Sequence, residues 1–377
     1  MPKQSTALLI IHGIGQQHPF ETLDAFATSL WNVLEQNAAT GFLPGHHRTA
    51  AREGWMQNYV SIETSRTSSV DVYEYYWAHK AQCRVKLNDI VEWLIDTSDG
   101  ARKFYDENEE LSKKYEGTGV SAFGKSGFKN RWYLKQFGWL MRLLAFLPRT
   151  VVLALTRWFG PLLFLFNPIF KWIRKTLVDF IGDIVIYTST DIKSQFYEVR
   201  KQILDGAVKE LESLLLDKRY KRIIVAGHSL GSVIGFDTLN RINQGMNVGR
   251  ISPNLAQKIK GFVTFGSPLD KIAFFFREHT PDDQYLRRQI LMHYHSFKAK
   301  PLSEQPNPKE VSNPFKEYLD DAYWINFWDT EDKVSGQLDF YRVNENVRLE
   351  MKKGVAKAHS AYWECAPLYE RIKRWLT

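Results

Sequence analysis

The residues of this sequence that could do chemistry centre on one serine. Ser229 stands between two glycines in the stretch Gly227-His228-Ser229-Leu230-Gly231. The apolar residues RIIVA precede it, and SVIGFDTLNRI follows with the spacing of a helix. A serine on a sharp strand-to-helix turn can be presented to a substrate, and glycines are needed where strand, turn and helix pack closely. A serine hydroxyl is a weak nucleophile at neutral pH, so the interpretation requires a base and a carboxylate that orients the base.

The partners of this serine can be sought by their order in the chain. Where a strand–turn–helix carries the nucleophile, the acid comes next and the histidine last. An acidic loop follows an apolar strand in WINFWDTEDKVSG (324–336), and His359 alone of the later histidines lies beyond that loop. We therefore predict Asp332 as the acid and His359 as the base. Asp329 remains the alternative acid, because it is nearer the end of the strand.

An oxyanion formed during attack on a carbonyl needs backbone N–H donors. One donor is expected from Leu230, directly after the serine. A second is expected from a loop after an early strand, and His12-Gly13-Ile14-Gly15 follows the apolar run 6–11. We assign the second donor to Ile14, whereas His12 and His228 are expected to be structural.

The elements that would position these residues alternate along the chain. β-branched and aromatic runs predict strands at 6–11, 59–65, 70–77, 222–226, 260–265 and 322–328. Apolar residues at helical spacing predict helices at 21–37, within 188–217, and at 361–376. This alternation indicates an α/β fold with a doubly wound, mostly parallel sheet. We divide the chain into a first part of the core (1–98), a cap insertion (99–187) and a second part of the core (188–377).

Taken in order, several short segments resemble the α/β-hydrolase superfamily. They are HGIG (12–15), GHSLG (227–231), TFGSPLD (264–270), the DTEDKV loop (329–334) and the histidine of AHSAYW (358–363). Within the superfamily the chain is similar to serine esterases and lipases, including the lipase-like and GPI-inositol-deacylase-like branches. The resemblance covers about residues 5–80 and 189–375, and it implies an α/β-hydrolase fold. The insertion matches no family pattern.

The insertion differs from the rest of the chain in charge. Residues 117–178 contain ten Lys or Arg and no Asp or Glu, so the net charge of +8 leaves 8 − 10 = −2 for the remainder. The longest uncharged apolar run, WFGPLLFLFNPIF (158–170), has 13 residues, whereas a membrane-spanning helix needs about 20. Two interpretations remain, which are compatible: a cap that packs on the core, or an interfacial element in residues 123–175 that contacts an anionic membrane.

Cysteine and histidine spacing indicates whether the protein holds disulfides, a metal or a cofactor. The two cysteines, Cys83 and Cys365, have neither metal-site nor disulfide-framework spacing. The pair His46-His47 lacks a nearby third ligand, and we predict no metal and no organic cofactor.

The basic segment is apolar and rich in tryptophan, which argues against a nucleic-acid partner. The first residues, MPKQSTALLIIHGIG, lack the long apolar region of a signal peptide, so we expect a cytoplasmic protein or one peripheral on the cytoplasmic membrane face.

These observations predict a serine hydrolase that cleaves carboxylic esters, with lipid or small-ester substrates. A thioesterase or an acyltransferase would use the same nucleophile and the same acyl-enzyme. A non-catalytic membrane-binding protein on a hydrolase scaffold is the alternative from another class, and the intact set of serine, acid and histidine argues against it.

Overall fold

The computed structural model describes residues 4–14, 18–38, 43–50, 54–65, 68–81, 195–269, 284–300, 311–332, 334–339 and 341–376. The predicted insertion (99–187) and its basic segment (123–175) lie outside the described residues. Contacts between Cα atoms divide the chain into two compact units. The first comprises Met1–Gly13, Gln17–His79 and Lys201–Thr377, and the second comprises Ile14–Gln16 and Lys80–Arg200. The domain boundaries drawn from the sequence therefore stay a prediction.

Eight strands form one sheet. They are β1 (Gln4–Ile11), β2 (Gly45–Arg48), β3 (Asn58–Ser65), β4 (Ser68–Tyr75), β5 (Tyr220–His228), β6 (Ile259–Phe265), β7 (Tyr323–Asp329) and β8 (Glu345–Leu349). Their order is β2-β3-β4-β1-β5-β6-β7-β8. The pairs from β4 to β8 are parallel, and β2–β3 and β3–β4 are antiparallel. The mostly parallel α/β-hydrolase sheet predicted from the sequence is confirmed.

The helices of the described residues are α1 (Glu21–Ala38), α2 (Ala78–Ala81), α3 (Gln195–Leu216), α4 (Leu230–Asn247), α5 (Tyr285–Tyr294), α6 (Val355–Ala358) and α7 (Ala366–Leu376). Short 3₁₀ turns lie at Gly54–Gln57, Pro253–Lys258 and Ala361–Glu364. The predicted C-terminal helix is thus divided, and Pro367 near the start of α7 suits a new helix N-terminus. Within the described residues, no helix is both long enough and apolar enough to cross a membrane.

Successive residues of a strand point to opposite faces of the sheet, and helices pack on both faces. Ile224 and Ala226 of β5 pack in a core with α1 and α7. Val225, between them, faces Gly235 of α4 on the other side. β1 is buried throughout its apolar residues 7–11, as expected for the central strand of a doubly wound sheet.

The start of α4 and the end of β1 approach each other closely through their backbones. A Cβ atom at Gly231 would stand 2.1 Å from the carbonyl oxygen of Ile11 and 2.5 Å from that of His12. Both neighbours are backbone atoms, which cannot rotate away as a side chain can. The position therefore requires glycine, and this contact fixes α4 against the sheet.

We predict that Gly231→Ala lowers the free energy of unfolding by about 1–3 kcal/mol, because the added methyl overpacks a backbone contact. Gly336→Ala is the matched control, since nothing lies within 4 Å of a Cβ added there. Chemical denaturation of both variants and of wild type measures the effect. Equal unfolding midpoints for the two variants would contradict the tight packing at Gly231.

Candidate active site

Ser229 lies on a strained turn between β5 and α4. Its backbone has φ 52° and ψ −127°, a left-handed φ that non-glycine residues seldom adopt. The turn is held by the Ser229 N–H, which donates to the carbonyl oxygen of Phe265 at 3.0 Å, and by the Ser232 N–H, which donates to that of Ser229 at 3.0 Å. A Cβ at Gly227 would stand 2.5 Å from the carbonyl oxygen of Gly231. The geometry of the turn therefore requires glycine at both flanking positions, 227 and 231.

The structure brings together the serine, histidine and first-choice acid that the sequence predicted. The Ser229 Oγ lies 2.8 Å from Nε2 of His359. On the other side of the imidazole ring, Nδ1 lies 2.9 Å from Oδ2 of Asp332. The Asp332 side chain is 1% exposed and that of His359 is 21% exposed. The carboxylate is thus shielded from water, while the histidine remains partly accessible.

Asp332 is held in its ionised form by its donors. Burial acts to raise the pKa of Asp332, but the hydrogen bond and charge of His359 act to lower it, together with two further donors. The N–H of Val334 donates to Oδ1 at 2.9 Å, and the hydroxyl of Tyr362 donates to Oδ2 at 3.0 Å. The net result is a pKa for Asp332 well below its usual range.

The alternative acid, Asp329, has a different position. Its Oδ1 accepts the N–H of Glu331 and its Oδ2 accepts that of Met351, both at 2.8 Å. Asp329 therefore ties the loop after β7 to the chain that follows β8. The geometry favours Asp332 over Asp329 as the partner of His359.

Two further histidines near the serine bond to the backbone. Nε2 of His228 lies 2.9 Å from the carbonyl oxygen of His359, to which it donates. Nε2 of His12 accepts the N–H of Trp77 at 3.0 Å, so its Nδ1 donates to the carbonyl oxygen of Gly13 at 2.7 Å. Burial lowers the pKa of His12 to about 4 and that of His228 to about 3. Both rings are therefore neutral at physiological pH and fix the backbone around them.

The loop after β1 passes directly beside the serine. A Cβ at Gly13 would lie 2.7 Å from Cβ of Ser229 and 3.1 Å from Nδ1 of His228. Leu230 is the first residue of α4, where backbone N–H groups lack partners within the helix. Ile14 belongs to the second unit, and Gly15 lies outside the described residues. The oxyanion roles of Leu230 and Ile14 stay predictions.

Within the part of the chain that the structure describes, no group of three or more His, Cys, Asp or Glu residues could hold a metal ion. Nε2 of His46 lies 3.1 Å from Oδ1 of Asn58, and the ring of His47 stacks on Tyr59. Both histidines thus have contacts within the edge of the sheet.

Sequence reasoning did not find Tyr362 or Ser335. Tyr362 lies in the 3₁₀ turn three residues after His359, and Oγ of Ser335 is 3.0 Å from its hydroxyl. The only sequence signal was their position: Ser335 stands three residues after Asp332, and Tyr362 three after His359.

We predict that Asp332→Asn destabilises the protein by about 1–3 kcal/mol at pH 7, where the ionised carboxylate accepts strong hydrogen bonds. The pKa of Asp332 is depressed in the folded state, so its stabilising contribution is present above the unfolded pKa of about 3.9 and is lost as pH falls below it. The difference from wild type should therefore shrink between pH 7 and pH 3, as measured by urea unfolding.

An Asp24→Asn variant, which neutralises an exposed carboxylate of α1, controls for the loss of one negative charge. A stability difference for Asp332→Asn that stays constant from pH 7 to pH 3 would contradict the depressed pKa.

A segment of the chain matches a known protein family. Residues 165–275 match the family of class 3 lipases, a segment that includes β5, Ser229, α4 and β6. Neither the curated proteins nor the solved structures gave a match. The narrower likeness to GPI-inositol deacylases stays a prediction. The matched segment and the fold together place the chain in the lipase/α/β-hydrolase superfamily.

Proposed function

We propose that this chain is a serine hydrolase that cleaves carboxylic esters, with lipids as the substrate class. The observation that carries the proposal is the continuous contact from Ser229 Oγ through the His359 ring to Asp332, at 2.8 Å and 2.9 Å. The class 3 lipase match supports a lipase or esterase at the level of the family. The contacts supply the base and the orienting acid that a serine nucleophile requires.

In the proposed mechanism, Ser229 Oγ attacks the ester carbonyl while His359 Nε2 takes its proton. Asp332 accepts the hydrogen bond from Nδ1, which keeps Nε2 free to act as a base and stabilises the imidazolium that forms. The backbone N–H groups of Leu230 and Ile14 are assigned to the oxyanion. His359 then protonates the leaving alcohol, and an acyl-Ser229 ester remains.

Water completes the cycle. His359 removes a proton from a water molecule, which attacks the acyl carbonyl and forms a second tetrahedral intermediate. Collapse of this intermediate returns the proton to Ser229 Oγ and releases the carboxylic acid. Each proton transfer runs through Nε2 of His359, so no metal or organic cofactor enters these steps.

We predict that wild type hydrolyses p-nitrophenyl esters and that Ser229→Ala loses at least about 10³-fold in kcat/KM, because the acyl-enzyme cannot form. A series from acetate to palmitate distinguishes an esterase from a lipase by the chain length that gives the highest kcat/KM. The measurement is release of p-nitrophenol in the presence of detergent micelles.

Ser213→Ala serves as the control, since Ser213 lies on α3 and donates to the carbonyl oxygen of Glu210. It should retain wild-type activity. Equal rates for Ser229→Ala and wild type, or a folded wild type that is inactive on every ester of the series, would reject the proposal.

We further propose that residues 123–175 bring the enzyme to an anionic membrane surface, where its lipid substrate resides. The segment lies outside the described residues, so the argument rests on its sequence. Its aromatic and aliphatic residues suit the lipid boundary, and its Lys and Arg residues suit anionic headgroups. A location in the cytoplasm or on the cytoplasmic membrane face is part of the same proposal.

We predict that the full chain floats with phosphatidylglycerol vesicles at low salt, and that added salt weakens the binding. The triple variant Lys171→Gln/Arg174→Gln/Lys175→Gln should bind about 100-fold more weakly, since each basic residue near an anionic surface contributes about 1 kcal/mol. Vesicle flotation measures the bound fraction.

The control removes three charges elsewhere, in Lys201→Gln/Lys218→Gln/Lys221→Gln, whose residues are exposed on α3, on the turn after it and on β5. It should bind as wild type does. Absence of wild-type binding at low salt, with and without phosphatidylglycerol, would end this proposal without affecting the esterase proposal.

A further inference from the structure

A buried tyrosine, Tyr362, makes a hydrogen bond to the predicted acid, Asp332. Tyr362 is fully buried, and its hydroxyl lies 3.0 Å from Oδ2 of Asp332 and 3.0 Å from Oγ of Ser335. Oδ2 of Asp332 is also the oxygen that contacts Nδ1 of His359, at 2.9 Å. His359 and Tyr362, three residues apart on one turn, thus bind the same carboxylate oxygen.

The directions of these hydrogen bonds follow from the charge states. The ionised carboxylate of Asp332 can only accept, so the Tyr362 hydroxyl donates to it. The hydroxyl oxygen can then accept from Ser335 Oγ. Burial raises the pKa of Tyr362 above its usual range, and the charge of Asp332 raises it further. The hydroxyl therefore keeps its proton and donates at every pH at which the enzyme could work.

We propose that Tyr362 is a positioning residue for the base, acting on His359 through Asp332. The inference rests on the proposed function, in which His359 is the base. By donating to Oδ2, Tyr362 fixes that oxygen opposite Nδ1 of His359. It also withdraws part of the carboxylate charge that would otherwise stabilise the imidazolium.

The neighbours of Tyr362 show which charge its hydroxyl affects. Among the described residues, the charged and titratable side chains that interact with Tyr362 include Asp332, Asp329 and His228. His228 is neutral, because burial lowers its pKa to about 3. Asp329 is engaged by two backbone N–H groups. Asp332 is therefore the charge through which the Tyr362 hydroxyl acts.

The test compares Tyr362→Phe with Tyr369→Phe. Tyr369 is also fully buried, and its hydroxyl donates to the carbonyl oxygen of Trp363 at 3.0 Å. Each variant thus removes one buried phenolic hydroxyl from the C-terminal region. The readouts are the rate of labelling by a fluorophosphonate, which reports an activated serine without assuming a substrate, and p-nitrophenyl butyrate hydrolysis, both from pH 5 to pH 9.

We expect Tyr362→Phe to lower the labelling rate and kcat by about tenfold, because Asp332 loses a donor that holds it opposite Nδ1 of His359 and small misplacements of reacting groups are costly, with KM changed by less than about twofold. The acid limb of its pH profile should move to higher pH, because the unshared Asp332 charge holds the imidazolium more tightly. Tyr369→Phe should keep the wild-type profile and rate per labelled site.

The outcomes separate this inference from the proposed function. If wild type labels and Tyr362→Phe matches it in rate and pH profile, or if Tyr369→Phe shows the same shift, the positioning role is overturned while the hydrolase proposal stands. If Ser229→Ala labels as wild type does, or wild type does not label, the proposed function itself fails and takes the inference with it.

Discussion

The close approach of two backbones at the start of α4 is the constraint on which the site depends. Gly231 stands so near the carbonyl oxygens of Ile11 and His12 that no side chain fits there. This contact sets the end of β1 beside the turn after β5, where a Cβ added at Gly13 would stand 2.7 Å from Cβ of Ser229. The strain at Ser229, with its φ of 52°, is maintained by the same packing. The location of Ser229 is therefore a consequence of how α4 packs on the sheet.

The parallel sheet positions the other groups of the site beside Ser229. The carboxyl ends of adjacent parallel strands meet at one edge, and β1, β5, β6 and β7 are consecutive neighbours. Their ends lead into Gly13, Ser229, Gly266 and the loop of Asp332, respectively. His359 arrives from beyond β8, and two contacts hold it there: its carbonyl oxygen accepts from His228, and its ring contacts Asp332. Neighbouring strands thus supply groups that are far apart in sequence.

The sequence predicted the parts of this arrangement that depend on local pattern. The six predicted strands correspond to β1 and β3 to β7, because buried strands are continuous apolar or β-branched runs. β2 and β8 were missed, since these short strands expose alternate or successive residues and carry no apolar run. Spacing alone left Asp329 open beside Asp332, because both follow the same strand and only the fold of the loop decides which faces His359. Tyr362 was missed because its role comes from a contact with a residue thirty positions away.

Electrostatics adds a distinction that spacing could not give, namely which of three neighbouring histidines can serve as a base. The ring nitrogens of His12 and His228 bond to backbone groups, and burial lowers the pKa of each far below neutrality. A ring in such a site resists taking up a proton. His359 instead contacts Asp332, whose carboxylate stays ionised because His359, Tyr362 and Val334 donate to it. A proton taken from Ser229 would therefore be stabilised on His359 by direct contact with the Asp332 carboxylate, whereas the hydrogen bonds of the other two rings are made to backbone groups.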